Sequence, residues 1–369
     1  MTAAAVRAEA DKGTPQTRAR YCTSENPFVF SLPPVPVRQF LAERDRAFDT
    51  VTPTSTIALD ASADLVSPYP ATTPTLLCRY LKNRAGEVLN TDFSASGEVF
   101  YVMHGSGRSR NGEDTISWGA GDVFCFPGGA TTHRADSKDS LLFAVSNEPL
   151  LCFERLRASA HGAPAVKATH WPAAEIERHF EKVWARPRSE QTTGYSVMFS
   201  CEDFAPGYNT TPTINTAINT LAAGADQKPH RHNGVAVTLA IQGEGVHSMI
   251  DGKRVDWSTG AAQITPATLL HSHHSRGTQR MRSFVIQDEG LHHYTRTPGF
   301  CFDCRQGLGA RDEGLGECRK LSRCWLARAK AHSSIAATRR GRSGSSKART
   351  TSATSSIIWW RIHATAARC

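Results

Sequence analysis

The chain has 369 residues, enough to bury a large core in two domains. It contains no apolar run of roughly 18 residues, which argues against a membrane span, and its charged opening "MTAAAVRAEADKGTPQTRAR" lacks the apolar segment of a secretory signal, which points to the cytoplasm. The net charge of +9 sits at one end: residues 304 to 369 carry 14 Lys and Arg against 3 acidic residues, leaving 29 basic and 31 acidic residues before them. A near-neutral body excludes a nucleic-acid-binding surface as the basis of the high isoelectric point.

In chain order, residues 1 to 74 form an arm rich in Thr, Pro and Ala, with a helix expected over 36 to 49 from Val37, Phe40, Leu41 and Phe48. Residues 75 to 155 are strand-rich. A linker over 156 to 209 is expected to be helical around "WPAAEIERHFEKVWARP", where Ile176, Phe180 and Val183 fall at helical spacing between Pro172 and Pro187. Residues 210 to 303 are strand-rich again. The segment 304 to 369, with "TRRGRSGSSKARTTSATSS", has no hydrophobic period and reads as a basic low-complexity tail, disordered or non-native. The ten cysteines, mostly single as at Cys22, Cys78, Cys125, Cys152 and Cys201, form no disulfide framework. Cys301 and Cys304 lack the compact second pair that a structural zinc site requires.

The two strand-rich blocks repeat one another. Gly105, Gly121 and Pro127 of the first correspond to Gly243, Gly260 and Pro266 of the second, at offsets of 138 or 139. Asp251-Gly252 between apolar segments signals a two-residue hairpin, and "GSGRSRNG" reads as a hairpin turn rather than a phosphate loop, since no helix follows it. Short strands separated by Gly, Pro and Asp turns indicate an all-β fold of two jelly-roll barrels with a few accessory helices.

Within the second block, "QKPHRHNG" places His230 and His232 two residues apart. Successive side chains of a strand alternate faces, so both imidazoles point the same way. Two histidines at a strand mouth could simply be exposed, and two cannot enclose an ion without a third partner. "PATLLHSHH" supplies one, since His271 and His273 also alternate onto one face. Arg231 is expected to point away. His247, His292 and His293 are expected to be structural, and one of His273 and His274 to face solvent.

The motifs resemble a known family. Gly224 with His230-Arg231-His232 and Gly243, then Gly260, Pro266 and His271, look like the two motifs of a cupin, the double-stranded β-helix barrel. Residues 75 to 296 resemble a bicupin. "PHRHN", "PATLLHSHH" and "SFVIQDEGLHHYTRTPGF" look most like the gentisate and salicylate 1,2-dioxygenase group. That resemblance implies His230, His232 and His271 as ligands of Fe(II), His273 as the substrate-facing histidine, a small aromatic acid and O₂ as substrates, and a homo-oligomer. The cupin glutamate position is Ala236, as in that group. The family's carboxylate-binding arginine is Thr238 here. The first copy carries Asp92, Ser94 and Thr132 at the expected ligand positions, keeps Glu98 and sets His133 one residue out of register. It is therefore read as a degenerate, metal-free barrel.

The function these residues imply is Fe(II)-dependent ring cleavage of a hydroxylated aromatic acid. Imidazole also suits Mn, Zn, Ni and Cu. Two other functions fit the same residues: a metal-dependent isomerase or 1,3-dicarbonyl dioxygenase, and a non-enzymatic bicupin that binds a small ligand.

Overall fold

A computed structural model describes residues 14–21, 32–157, 163–187 and 194–302; the basic tail and Cys22 lie outside them. Among the described residues, twenty strands build two barrels of two sheets each. The first barrel contains β1 (Ser55–Ala58), β2 (Leu77–Asn83), β3 (Val88–Phe93), β4 (Glu98–His104), β5 (Ser106–Asn111), β6 (Asp114–Gly119), β7 (Val123–Phe126), β8 (Gly129–Ala135), β9 (Ser140–Ser146) and β10 (Thr169–Trp171). Its sheets run β1-β2-β9-β4-β7-β10 and β3-β8-β5-β6. The second contains β11 (Tyr195–Phe199), β12 (Asn215–Leu221), β13 (His230–His232), β14 (Ala236–Gln242), β15 (Val246–Ile250), β16 (Lys253–Asp256), β17 (Ala262–Thr265), β18 (His271–Ser275), β19 (Met281–Gln287) and β20 (Phe300–Phe302). Its sheets run β11-β12-β19-β14-β17 and β16-β15-β18-β13-β20.

The strand order explains the sequence pattern. On β4, Val99 and Tyr101 point into a core shared with the second barrel, while Phe100 and Val102 fill the first barrel's interior. Strands buried on both faces read as continuous apolar runs. Tyr101 stacks on Phe284 at 5.2 Å, and the Tyr80 hydroxyl donates to the Gly260 carbonyl at 2.8 Å. Asp251 and Gly252, at φ 47° and 77°, turn the β15–β16 hairpin with Ile250 opposite Lys253, the geometry that favours Asp-Gly.

Two expectations change. The N-terminal helix is shorter, Leu41–Phe48, because residues before it are held extended: Gln39 bridges Gln263, and the Phe40 amide donates to the Ala262 carbonyl. Of its expected apolar face only Phe40 is buried, with Val37, Leu41 and Phe48 exposed. The linker is not wholly helical either. It gives β10 to the first barrel and β11 to the second, around a helix at Ala173–Trp184 that buries Ile176 and Phe180.

Strand pairing also corrects the internal repeat. His230 lies opposite His271 in the second barrel, and Thr91 opposite Thr131 in the first; Ser248 lies opposite His273, and Ser109 opposite His133. The first barrel's counterparts of His230, His232 and His271 are thus Thr91, Phe93 and Thr131, not Asp92, Ser94 and Thr132. His133 is in register, as the counterpart of His273. One residue gained or lost in the connecting loops displaces a constant sequence offset. The interiors then differ position by position, with Leu81, Phe100, Phe124 and Phe126 standing where the second barrel has Asn219, Thr238, Gln263 and Thr265. Phe100 and Phe124 stack at 4.7 Å and occupy the first barrel's centre.

His133 is buried in that packing, and desolvation lowers its pKa from 6.5 to about 3. The unfolded chain therefore takes up a proton there that the folded chain refuses. This contribution to stability is complete above pH 6.5 and is lost as pH falls toward 3. In urea titrations of wild type and His133→Gln, the variant's stability should fall less steeply from pH 6.5 to 4, by up to about 1.4 kcal/mol per pH unit. Parallel slopes would contradict the assignment.

Candidate metal centre and its cavity

The short strand β13 carries His230 and His232 on its inward face, and β18 brings His271 directly opposite His230. Ring centroids lie 4.3 Å apart for His230 and His271, 4.7 Å for His232 and His271, and 5.8 Å for His230 and His232. One ligand nitrogen from each falls within 4.8 Å of the other two.

Hydrogen bonding decides which nitrogen faces the centre. His230 Nδ1 lies 3.0 Å from the Lys228 carbonyl, His232 Nδ1 2.8 Å from the Gly234 carbonyl, and His271 Nδ1 2.9 Å from the Leu269 carbonyl. A carbonyl only accepts, so each Nδ1 is protonated and each Nε2 keeps its lone pair. Gln287 Nε2, 3.1 Å from His232 Nε2, donates to that lone pair. Burial lowers the pKa of all three histidines, well below the usual value for His271, where the neighbouring imidazoles add to the effect. Three neutral imidazoles with converging lone pairs and protons anchored on backbone carbonyls form a donor set that could hold a transition-metal ion.

The support extends one shell outward. Glu289 Oε2 accepts from the Gly234 amide at 2.9 Å, and Asp288 Oδ1 from the Val235 amide at 2.8 Å. These bonds fix the turn whose Gly234 carbonyl orients His232. A Cβ on Gly234 would sit 2.4 Å from Glu289 Oε2, so a side chain there would push this carboxylate off the Gly234 amide.

The triad lines a cavity of about 300 Å³ whose wall includes His273, Thr238, Asn215, Asn219, Gln287 and Phe300. Among the described residues, no Arg or Lys lines it. His273 faces this space, with burial pushing its pKa down to about 3. Thr238, at the expected arginine position, also lines the wall. Arg231 points elsewhere and donates to the Thr268 carbonyl at 3.2 Å. His274 binds Asp226 at 2.7 Å and stacks on His247 at 4.8 Å, outside the cavity.

His293, expected to be structural, does line the cavity, with Nδ1 donating to Asn209 Oδ1 at 2.8 Å. Sequence reasoning missed Gln287 and Glu289, which also reach the wall. Gln287 ends the last long strand and Glu289 opens the helix that follows it, positions without a local signal of their own. It missed as well the pairing of β20 with β13, which sets Phe300 5.3 Å from His230.

Comparison with known proteins agrees with this architecture. Residues 217–287 match the cupin domain family. Over 105 residues the chain is 29% identical to a gentisate 1,2-dioxygenase of Ralstonia sp, covering 28% of this chain and 29% of that one. Over 95 residues it is 33% identical to a 5-aminosalicylate 1,2-dioxygenase of Comamonas sp, covering 25% of each. The matched segments thus span less than a third of these curated relatives' length. A salicylate 1,2-dioxygenase from Pseudoaminobacter salicylatoxidans, solved as adducts with gentisate, has a TM-score of 0.60 at 12% identity, covering 75% of this chain and 87% of that chain. Residues 217–287 of the second barrel match a cupin domain, and the two barrels together have the bicupin fold of that salicylate 1,2-dioxygenase structure. Within that fold, the matched segments are similar to gentisate and 5-aminosalicylate 1,2-dioxygenases. Among the described residues, no helix is long and apolar enough to cross a membrane.

Converging lone pairs imply a stoichiometry. Titration with a divalent transition metal should end at about one ion per chain. Replacing His230, His232 or His271 by Ala should weaken binding by about 100-fold or more, and Glu289→Ala, acting through Gly234, by about 10-fold. Wild-type affinity in His271→Ala would rule out the triad.

Proposed function

We propose that the second barrel holds one Fe(II) on His230, His232 and His271 and cleaves the ring of a hydroxylated aromatic acid, with both atoms of O₂ entering the product. The observation that carries this reading is the meeting of three unprotonated Nε2 atoms inside a cavity of about 300 Å³, room for a single substituted ring. When bound, the metal supplies open coordination positions for a chelating substrate and for O₂.

The chain's own residues define what enters. Three neutral ligands leave the charge of a divalent ion uncompensated, and among the described residues no Arg or Lys lines the wall. The site therefore suits a substrate carrying two negative charges at adjacent oxygens, as an ortho-hydroxy carboxylate does once its phenol is deprotonated. A further charge on the ring would be buried without a partner. Asn215, Asn219, Gln287 and Thr238 instead present hydrogen-bonding groups to neutral substituents. Phe300 contributes an apolar face beside His230, and His273 faces the substrate's oxygen. Free thiols at Cys78, Cys125 and Cys201 suit a reducing, cytoplasmic setting.

Full-length protein loaded anaerobically with Fe(II) should consume one O₂ per substrate converted when given salicylate, gentisate, 1-hydroxy-2-naphthoate or substituted salicylates, with loss of the aromatic absorbance. His232→Ala should abolish uptake. Silence across this panel with iron bound would overturn the ring-cleavage reading and favour the isomerase or 1,3-dicarbonyl reaction. A protein without stoichiometric transition metal would leave only a ligand-binding module.

A further inference from the structure

Three hydrogen bonds meet on one buried hydroxyl beneath the cavity. Ser248 Oγ lies 2.7 Å from Trp257 Nε1, 2.7 Å from Gln263 Nε2 and 2.9 Å from His273 Nδ1. Ser248 is fully buried, and Trp257, Gln263 and His273 nearly so. An indole N–H can only donate, and the glutamine amide nitrogen donates as well. These two bonds occupy both lone pairs of the hydroxyl, which leaves its single proton for His273 Nδ1. We infer that Ser248, held by Trp257 and Gln263, fixes His273 with its proton on Nε2, so that His273 is an obligate hydrogen-bond donor to the substrate rather than the base that deprotonates it.

The geometry excludes the other neutral tautomer, because a proton on Nδ1 would point at an oxygen whose lone pairs are already engaged.

The first barrel provides an independent copy. Ser109 Oγ accepts from Trp118 Nε1 at 2.8 Å and lies 2.7 Å from His133 Nδ1, in the same strand register. His133 Nε2 lies 3.3 Å from Thr91 Oγ1, whose own proton reaches toward the Thr131 carbonyl at 3.4 Å. Thr91 therefore accepts from His133, and the Nε2–H orientation recurs although a phenylalanine, Phe124, stands where the second barrel has Gln263. There the N–H is consumed by a threonine at the position of a candidate metal ligand. In the second barrel the same N–H faces the cavity. An N–H held in the cavity wall demands an acceptor, and under the dioxygenase reading, on which this part rests, that acceptor is the anionic oxygen of the chelated substrate. Ser248, Trp257 and Gln263 are then positioning residues, acting on the substrate only through His273.

The tautomer can be read directly. In the full chain labelled with ¹⁵N-histidine and loaded with diamagnetic zinc, the His273 ring, assigned by its loss in His273→Gln, should show a protonated Nε2 and an unprotonated Nδ1. In Ser248→Ala the two tautomers should mix, and Ser248→Thr, which restores the hydroxyl, should restore the single form. The dissociation constant of salicylate for the zinc form should rise about 10-fold in Ser248→Ala, the worth of one hydrogen bond to a charged group, and return in Ser248→Thr. A protonated Nδ1 in the wild type, or an unchanged His273 spectrum in Ser248→Ala, would overturn the inference. Because the spectrum is recorded without substrate, a protein that consumes no oxygen could still show the fixed tautomer, and the two ideas fail separately.

Discussion

An imidazole can offer electrons to a metal only from the nitrogen that carries no proton, and in the second barrel the backbone makes that choice. The carbonyls of Lys228, Gly234 and Leu269 each take the Nδ1 proton of one histidine, which turns three Nε2 lone pairs toward a common point. Each carbonyl lies two residues from the histidine it orients, so the constraint is local to β13 and to the start of β18. Burial acts in the same direction by keeping the rings neutral. Everything else in the barrel follows from protecting this arrangement, including the carboxylates of Asp288 and Glu289 that hold the Gly234–Val235 turn.

The two barrels show what the same topology does with different interiors. Apart from the edge strands β10 and β20, strand order coincides, down to a Trp–Ser–His cluster in each. Where the first barrel stacks Phe100 on Phe124 and closes its centre, the second has Thr238 and Gln263 and leaves a cavity. The apolar filling gives the first barrel a packed core against which the second can rest, through Tyr101, Phe284 and the shared interface. The division of labour is one of volume: aromatic rings stabilise one copy, and smaller polar side chains open the other to a ligand.

Much of this was legible in the sequence because β-structure is periodic at two residues. The His-x-His spacing placed His230 with His232 and His271 with His273 on common faces, and Asp251-Gly252 marked a hairpin by its turn chemistry. What escaped was whatever depends on register between strands distant in sequence. Thr91, Phe93 and Thr131 were displaced by one position because loops of unequal length separate them from the aligned glycines. Gln287, Glu289, His293 and Phe300 reach the cavity from the end of β19, the helix Glu289–Thr295 and β20, and nothing local to those residues announces where they point. The N-terminal helix failed for a related reason, since an apolar spacing cannot foretell that Gln39 and Phe40 will pair with β17 instead.

The central claim is geometric, and X-ray absorption at the edge of the bound metal addresses it most directly. The metal-loaded protein should show a first shell of light atoms at about 2.0–2.2 Å with the outer-shell scattering of three imidazoles. A sulfur shell, or scattering from fewer than three imidazoles, would contradict the claim.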